Sequence, residues 1–253
     1  MCTISFVPTG SDRWLLGMNR DERKTRAKAQ LPSIHQASNG TRYLCPIDPE
    51  AGGTWIGINS CGLSLLLINN YQAVNPEAAH RKDLLSRGLV IPDLMHHTEI
   101  TPALKELKQV DPARYNPFTL FLFSLPEQRI MSFAWDGEKV ATSPLQVSPF
   151  VKISSGFDPD TAYRVRNQEF QKRYNETSVI DTEWMKQLHQ STRPEPGALS
   201  IAMWQQHVMS VSATVIELTP NEGRMLYCDG WPGNTTTWHD YRLAFYPDEQ
   251  IER

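Results

Sequence analysis

Strand pairs joined by tight turns open and close this chain of 253 residues, and the helix-like segments fall between them. Thr3–Val7 and Arg13–Met18 read as a hairpin across the Pro8 to Asp12 turn. Asn19 to Lys28 leaves that hairpin as a charged, irregular run. Gly53–Asn59 and Leu63–Asn69 form a second hairpin over Ser60-Cys61-Gly62, its second strand too apolar to face water on either side. Helices are expected over 80–97 and 102–110, the latter with Thr101 as N-cap and Pro102 at the first helical position. Strands follow at Phe118–Ser124, Arg129–Ala134, Lys139–Thr142 and Phe150–Ser154. Asp158-Pro159 starts an amphipathic helix running to about Tyr174, and another covers about 182–190. Ser212–Leu218 and Arg224–Cys228 close the pattern as a hairpin, and 231–253 reads as an irregular tail.

Hairpin-grouped strands with segregated helix pairs argue for an α+β fold with antiparallel sheets, not a βαβ series. Two such sheets, each covered by helices on its outer face, accommodate every segment in a single domain over 1–253, with 231–253 packed on it. A net charge of −3 gives no footprint for nucleic acid or for an anionic membrane surface. No apolar stretch is long enough to span a bilayer. The four cysteines, Cys2, Cys45, Cys61 and Cys228, are too few for a disulfide scaffold and match no zinc spacing, so no metal site is expected. The first strand begins at once, without a signal-like leader, which makes the cytoplasm and reduced thiols the expectation. Oligomeric state is not legible.

Cys2 is the residue with chemistry to offer. If Met1 is removed, it carries nucleophile and base together, because its α-amine, with a pKa near 8, can take the thiol proton. Such a catalyst needs a group to orient the amine and donors for the oxyanion. The plainer alternative is a buried, inert cysteine that starts a strand. Asn19-Arg20-Asp21-Glu22 stands at the end of the paired strand, where its side chains can lie beside Cys2. Asp21 could accept from the amine, and Arg20 could bind an acidic substrate group; a solvated charge cluster is the alternative.

Met1-Cys2-Thr3, Gly17-Met18-Asn19-Arg20-Asp21-Glu22, Gly52-Gly53-Thr54-Trp55-Ile56-Gly57 and Asn69-Asn70-Tyr71, in this order and spacing, resemble the NRDE family. It is also called the transport-and-Golgi-organisation family. The likeness continues through Arg87-Gly88, Tyr115–Phe123 and Pro196-Gly197 to Ser210–Glu217. That family resembles the N-terminal-nucleophile hydrolases, which implies a four-layer αββα sandwich. The branch resembling bile-salt hydrolases and penicillin V acylases implies Cys2 as nucleophile, Asp21 as amine orienter and Asn69 as oxyanion donor. Asn70 stays open beside Asn69, because a one-residue slip reverses the face. Asn19, Arg20, Trp55 and Asn70 are the expected substrate-binding residues, and Gly52-Gly53-Thr54-Trp55 is expected to shape a pocket wall.

Three positions depart from that branch. It places an arginine three residues before the aspartate, where this chain has Met18, with Arg20 displaced to the other face. It has a second asparagine where Ser154-Ser155 stands, and an arginine where Ser210-Val211-Ser212 stands. Two functions follow from the resemblance. One is cleavage or transfer of an acyl group from an amide or thioester through Cys2, with no cofactor required. The other is non-catalytic haem trafficking (a haem chaperone) or acyl-lipid and acyl-CoA binding in the same cleft. For haem, Cys45-Pro46 and the seven histidines, His35, His80, His96, His97, His189, His207 and His239, are candidate ligands. His96-His97 follows a helix end, where capping of carbonyls is the simpler role.

Overall fold

The computed structural model describes residues 2–71, 81 and 83–245. Residues 80 and 82 of the expected first helix and 246–253 of the expected tail lie outside these. Two compact units are built from interleaved stretches of chain. The first takes Met1–Lys28, Ser148–Glu217 and Arg224–Tyr241; the second takes Ala29–Val147, Leu218–Gly223 and Arg242–Arg253.

In the first unit β1 (Cys2–Pro8) pairs antiparallel with β2 (Trp14–Arg23). In the second, β3 (Gln30–Gln36), β4 (Arg42–Ile47), β5 (Ile56–Asn59), β6 (Leu63–Asn69), β7 (Phe118–Ser124), β8 (Arg129–Trp135) and β9 (Val140–Leu145) form a seven-stranded sheet in sequence order. Two short helices, α1 (Val90–Leu94) and α2 (Ile100–Leu107), interrupt it. The chain returns through β10 (Phe150–Ser154), α3 (Pro159–Asn175), α4 (Thr182–His189), β11 (Val208–Leu218), β12 (Glu222–Asp229) and β13 (His239–Ala244). These strands complete a six-stranded sheet in the order β10-β1-β2-β11-β12-β13.

Alternation decides what each sheet buries. Leu63, Leu65 and Leu67 of β6 and Phe118, Leu120 and Leu122 of β7 point to one face. There they meet Val90, Ile91 and Leu94 of α1 and Ile100, Leu104 and Leu107 of α2. In the other unit Val7, Leu15, Val151, Val215 and Leu226 meet Phe170 of α3 and Trp184, Met185 and Leu188 of α4. Each sheet therefore has its own helix pair, and the α+β class with antiparallel sheets is what the segment order requires.

Several boundaries differ from the sequence reading. The helix expected over 80–97 shrinks to a 3-10 turn at Arg87–Leu89 and the five residues of α1. Leu85 instead bridges Tyr115, its N–H bonded to the Arg114 carbonyl at 2.9 Å. Thr101 is no N-cap: α2 starts at Ile100, whose N–H takes Glu127 Oε2 at 2.8 Å, a cap supplied from far along the chain. β2 runs on through the supposedly irregular Asn19–Arg23. β3 and β4 were not visible because β3 is almost wholly exposed, carries Pro32 and slips register between Gln30 and Ser33. The tail is not irregular throughout, since β13 lies within it and buries Leu243.

Candidate active site

β1 sits between β2 and β10, so Cys2 is flanked on both sides. Its register partners are Arg20 on β2 and Ser154 on β10. Residues directly opposite in an antiparallel pair share a face, so Cys2, Arg20 and Ser154 line one face of the sheet. Arg20 is not displaced from that face. Side chains alternate with period two, so Met18 and Arg20 project to the same side. The Oγ of Ser154 is buried with no hydrogen-bond partner among the described residues.

The opposite face is polar and fully packed. Asp21 falls one position beyond the Cys2–Arg20 pair, level with the backbone nitrogen of Cys2. Its Oδ1 accepts from Ser210 Oγ at 2.6 Å, and its Oδ2 lies 3.8 Å from Arg166 Nη1, both side chains wholly buried. Arg166 comes from α3, which Asp158 caps by accepting from the Thr161 N–H, with Pro159 in the first turn. The buried stripe Ala162, Arg166, Glu169, Phe170 turns the guanidinium inward. Arg166 also donates to Thr3 Oγ1 at 2.6 Å and to the carbonyls of Ala198 and Leu199. It thereby ties α3, β1, β2 and the 198–199 loop to one cation.

Burial dominates the electrostatics. It pushes the Cys2 thiol up, opposed by the positive chain terminus, a hydrogen bond from the Asp21 backbone and the charge of Arg20. It also pushes the Asp21 carboxyl up, opposed by Arg166, the chain terminus and Ser210. Arg166 is pulled down by the same desolvation and held up by Asp21. The thiol and Arg20 on one face of the sheet, and the Asp21–Arg166 pair on the other, are thus all taken out of water.

Asn19, expected to bind substrate, has its side chain spent elsewhere. Its Nδ2 donates to the carbonyls of His189 and Ile201 at 2.9 and 2.7 Å, and its Oδ1 accepts from His189 Nδ1 at 2.9 Å. With that nitrogen protonated, His189 Nε2 is the acceptor for Ser5 Oγ at 2.6 Å. Burial drives this histidine down to about 3, so it is neutral. Gly17 makes the arrangement possible, because a Cβ there would lie 2.1 Å from His189 Nε2.

Asn69, Asn70 and Trp55 belong to the second unit. Asn69, the last residue of β6, donates from Nδ2 to Tyr71 Oη at 2.8 Å. Asn70 Nδ2 reaches the Trp135 carbonyl at 3.4 Å, and Trp55 is buried. The glycines before Trp55 serve a backbone contact. Thr54 N–H bonds the Gly88 carbonyl at 2.9 Å, and a Cβ on Gly53 would lie 2.4 Å from the Gly88 carbonyl carbon. Cys45 is buried in β4 with its thiol pushed up to about 12, so it offers no thiolate at neutral pH. Arg166 was not singled out from sequence, Ser154 entered only as a departure from the family branch, and His189 only as one of seven candidate haem ligands. Arg166 had one signal, an arginine in the inward stripe of a helix.

The fold is that of the N-terminal-nucleophile hydrolases. It is shared with an N-acylethanolamine-hydrolyzing acid amidase ortholog from Caenorhabditis elegans, at TM-score 0.61, 12% identity and coverage of 93% of this chain and 94% of that one. A C2A mutant of conjugated bile acid hydrolase from Clostridium perfringens follows at 0.58 and 9%, covering 98% of each chain. Penicillin V acylase from Agrobacterium tumefaciens stands at 0.51 and 10%, covering 96% of this chain and 86% of that one. The chain belongs to the Transport and Golgi organisation 2 family, whose model matches residues 1–219. No curated protein matches it in sequence.

Proposed function

We propose that the chain is a cysteine-dependent acyl hydrolase or acyl transferase, acting on a small-molecule amide or thioester through Cys2 after removal of Met1. The observation that carries this reading is the register: Asp21 stands level with the Cys2 nitrogen, while Arg20 and Ser154 share the face of its side chain. The structural neighbours named as amidase, hydrolase and acylase support the same chemistry.

In this mechanism the Cys2 amine takes the thiol proton and the thiolate attacks the acyl carbon. Asp21, with its own charge matched by Arg166, holds the resulting ammonium. The oxyanion donor that the family resemblance implies is Asn69 Nδ2. The ammonium returns its proton to the leaving amine or thiol, leaving a thioester on Cys2. Water or an acceptor amine, deprotonated by the same amine, then releases the acyl group. The arginines missing from the family branch have substitutes, Arg20 on the thiol face and Arg166 beneath Asp21. Arg20 and the Ser154 hydroxyl, which has no hydrogen-bond partner among the described residues, share the face of the Cys2 side chain and would bind an acidic or carbonyl-bearing substrate.

Intact mass and a panel of N-acyl amines, N-acyl amino acids and acyl-CoAs test the proposal. The expected result is a chain lacking Met1 that acquires one acyl mass on Cys2, with Cys2→Ala abolishing both adduct and turnover. An active protein that retains Met1, or turnover surviving in Cys2→Ala, overturns it. Saturable binding of haem or an acyl lipid with neither adduct nor turnover assigns the carrier reading instead.

A further inference from the structure

His96 and His97 follow α1, and one of them does cap a carbonyl. His96 Nδ1 donates to the Asp93 carbonyl at 2.9 Å. A carbonyl only accepts, so this nitrogen carries the proton and Nε2 of a neutral His96 presents its lone pair. That lone pair faces Glu106 Oε2 at 3.2 Å, and His97 Nε2 meets the same oxygen at 2.9 Å. The ligand atoms of all three residues lie within 4.8 Å of one another. Two imidazole nitrogens converging on one carboxylate oxygen define a place that favours a cation. Tetrahedral zinc, with bonds of roughly 2.0–2.1 Å, separates its ligand atoms by about 3.3 Å, a few tenths from the two nitrogen–oxygen distances here.

The surroundings hold these groups in place. Asn59 Nδ2 donates to the carbonyls of Met95 and His97 at 3.1 and 2.7 Å, and Asn39 Nδ2 to that of His96 at 2.9 Å. The backbone carrying both rings is thus fixed by two asparagine side chains from other strands and turns. The Asp93 carbonyl does for His96 what outer-shell acceptors do for metal-bound histidines, fixing tautomer and ring plane. His96 and Glu106 also line a pocket of about 430 Å³ together with Val90, Asp93, Leu107 and Tyr115.

We propose that His96, His97 and Glu106 bind a divalent transition-metal ion, zinc foremost. Three protein ligands leave one coordination position, the arrangement of zinc sites that exchange water for a ligand. The pocket beside His96 and Glu106 supplies a small anionic ligand or water to that position. The site is independent of Cys2 chemistry and joins the end of α1 to the last turn of α2.

Calorimetric titration of the chelator-treated full chain with Zn²⁺, and spectroscopic titration with Co²⁺, test this. One ion per chain is expected, with tetrahedral cobalt bands that lack thiolate charge transfer. Glu106→Gln and His97→Ala should each weaken binding by about tenfold or more. Glu106→Gln keeps the side-chain volume and decides the matter if His97→Ala fails to fold. No binding at tens of micromolar metal, thiolate bands in the cobalt spectrum, or affinity unchanged in the variants each overturn the proposal. The first outcome would leave a histidine–carboxylate hydrogen-bonding cluster only.

Discussion

His189 shows how a single residue sets the floor of the candidate site. It is fully buried, neutral and bonded on both ring nitrogens, to Asn19 and Ser5. Its folded pKa is pushed from 6.5 down to about 3, so the unfolded chain binds the proton first as pH falls. The stability it contributes is complete above about pH 6.5 and erodes by roughly 1.4 kcal/mol per pH unit below that, down to about pH 3. Urea unfolding at pH 7 and pH 5 should therefore show wild type losing about 2 kcal/mol more than His189→Gln over that interval. Equal pH dependence in the two proteins would refute the buried neutral imidazole. Neither this clamp nor its partner Gly17 could be read from the sequence as such. Asn19 reads as a ligand-binding residue because its motif ends the strand paired with Cys2, and only the packing shows that its amide is consumed by backbone carbonyls.

Elements, by contrast, were legible where a short apolar run is bounded by turn residues. β6, β7 and β10 match the sequence reading residue for residue, since their apolar runs and bounding turns are unambiguous. The Asp158-Pro159 start of α3 was equally plain, because the cap is local. What failed were elements fixed by distant partners. The start of α2 depends on Glu127, and α1 is kept short by the approach of Gly88 to Gly53 and Thr54. That approach is testable. Gly53→Ala forces a Cβ to within 2.4 Å of a peptide carbon that has no rotamer to yield. Overpacking of this kind costs about 1–3 kcal/mol, read as a lowered denaturant midpoint, while Gly52→Ala, with open space but a φ of +70°, should cost less. The reverse ranking would mean that backbone strain, not the loop contact, explains the glycine pair.

At the scale of the molecule, the six-stranded sheet is assembled from both ends of the chain. β1 and β2 pair with β10 and β11, which follow more than a hundred residues later, and β12 and β13 complete the order. The family match ends at residue 219, yet Met225, Tyr227 and Cys228 of β12 are fully buried and Leu226 is part of the helix-facing core. A chain ended at Thr219 should lack a cooperative thermal transition by calorimetry. A sharp melt in that truncated protein would show that the sheet closes without β12. Cys2 and the Asn19-Arg20-Asp21-Glu22 motif lie on the paired strands β1 and β2, within 22 residues of one another in sequence. This is why the nucleophile and Asp21 stood out early, and Arg166, reached only through helix α3, did not.

β3 closes one border of the seven-stranded sheet, with Pro32 inside it and a register slip beside it. A proline cannot donate to a further strand, and a bulge twists the free hydrogen-bonding groups out of line. The border is thereby made a poor template for another chain. Filament growth by strand addition, the standing hazard of a broad antiparallel sheet, is blocked along that border by two local irregularities that leave the hydrophobic interior untouched.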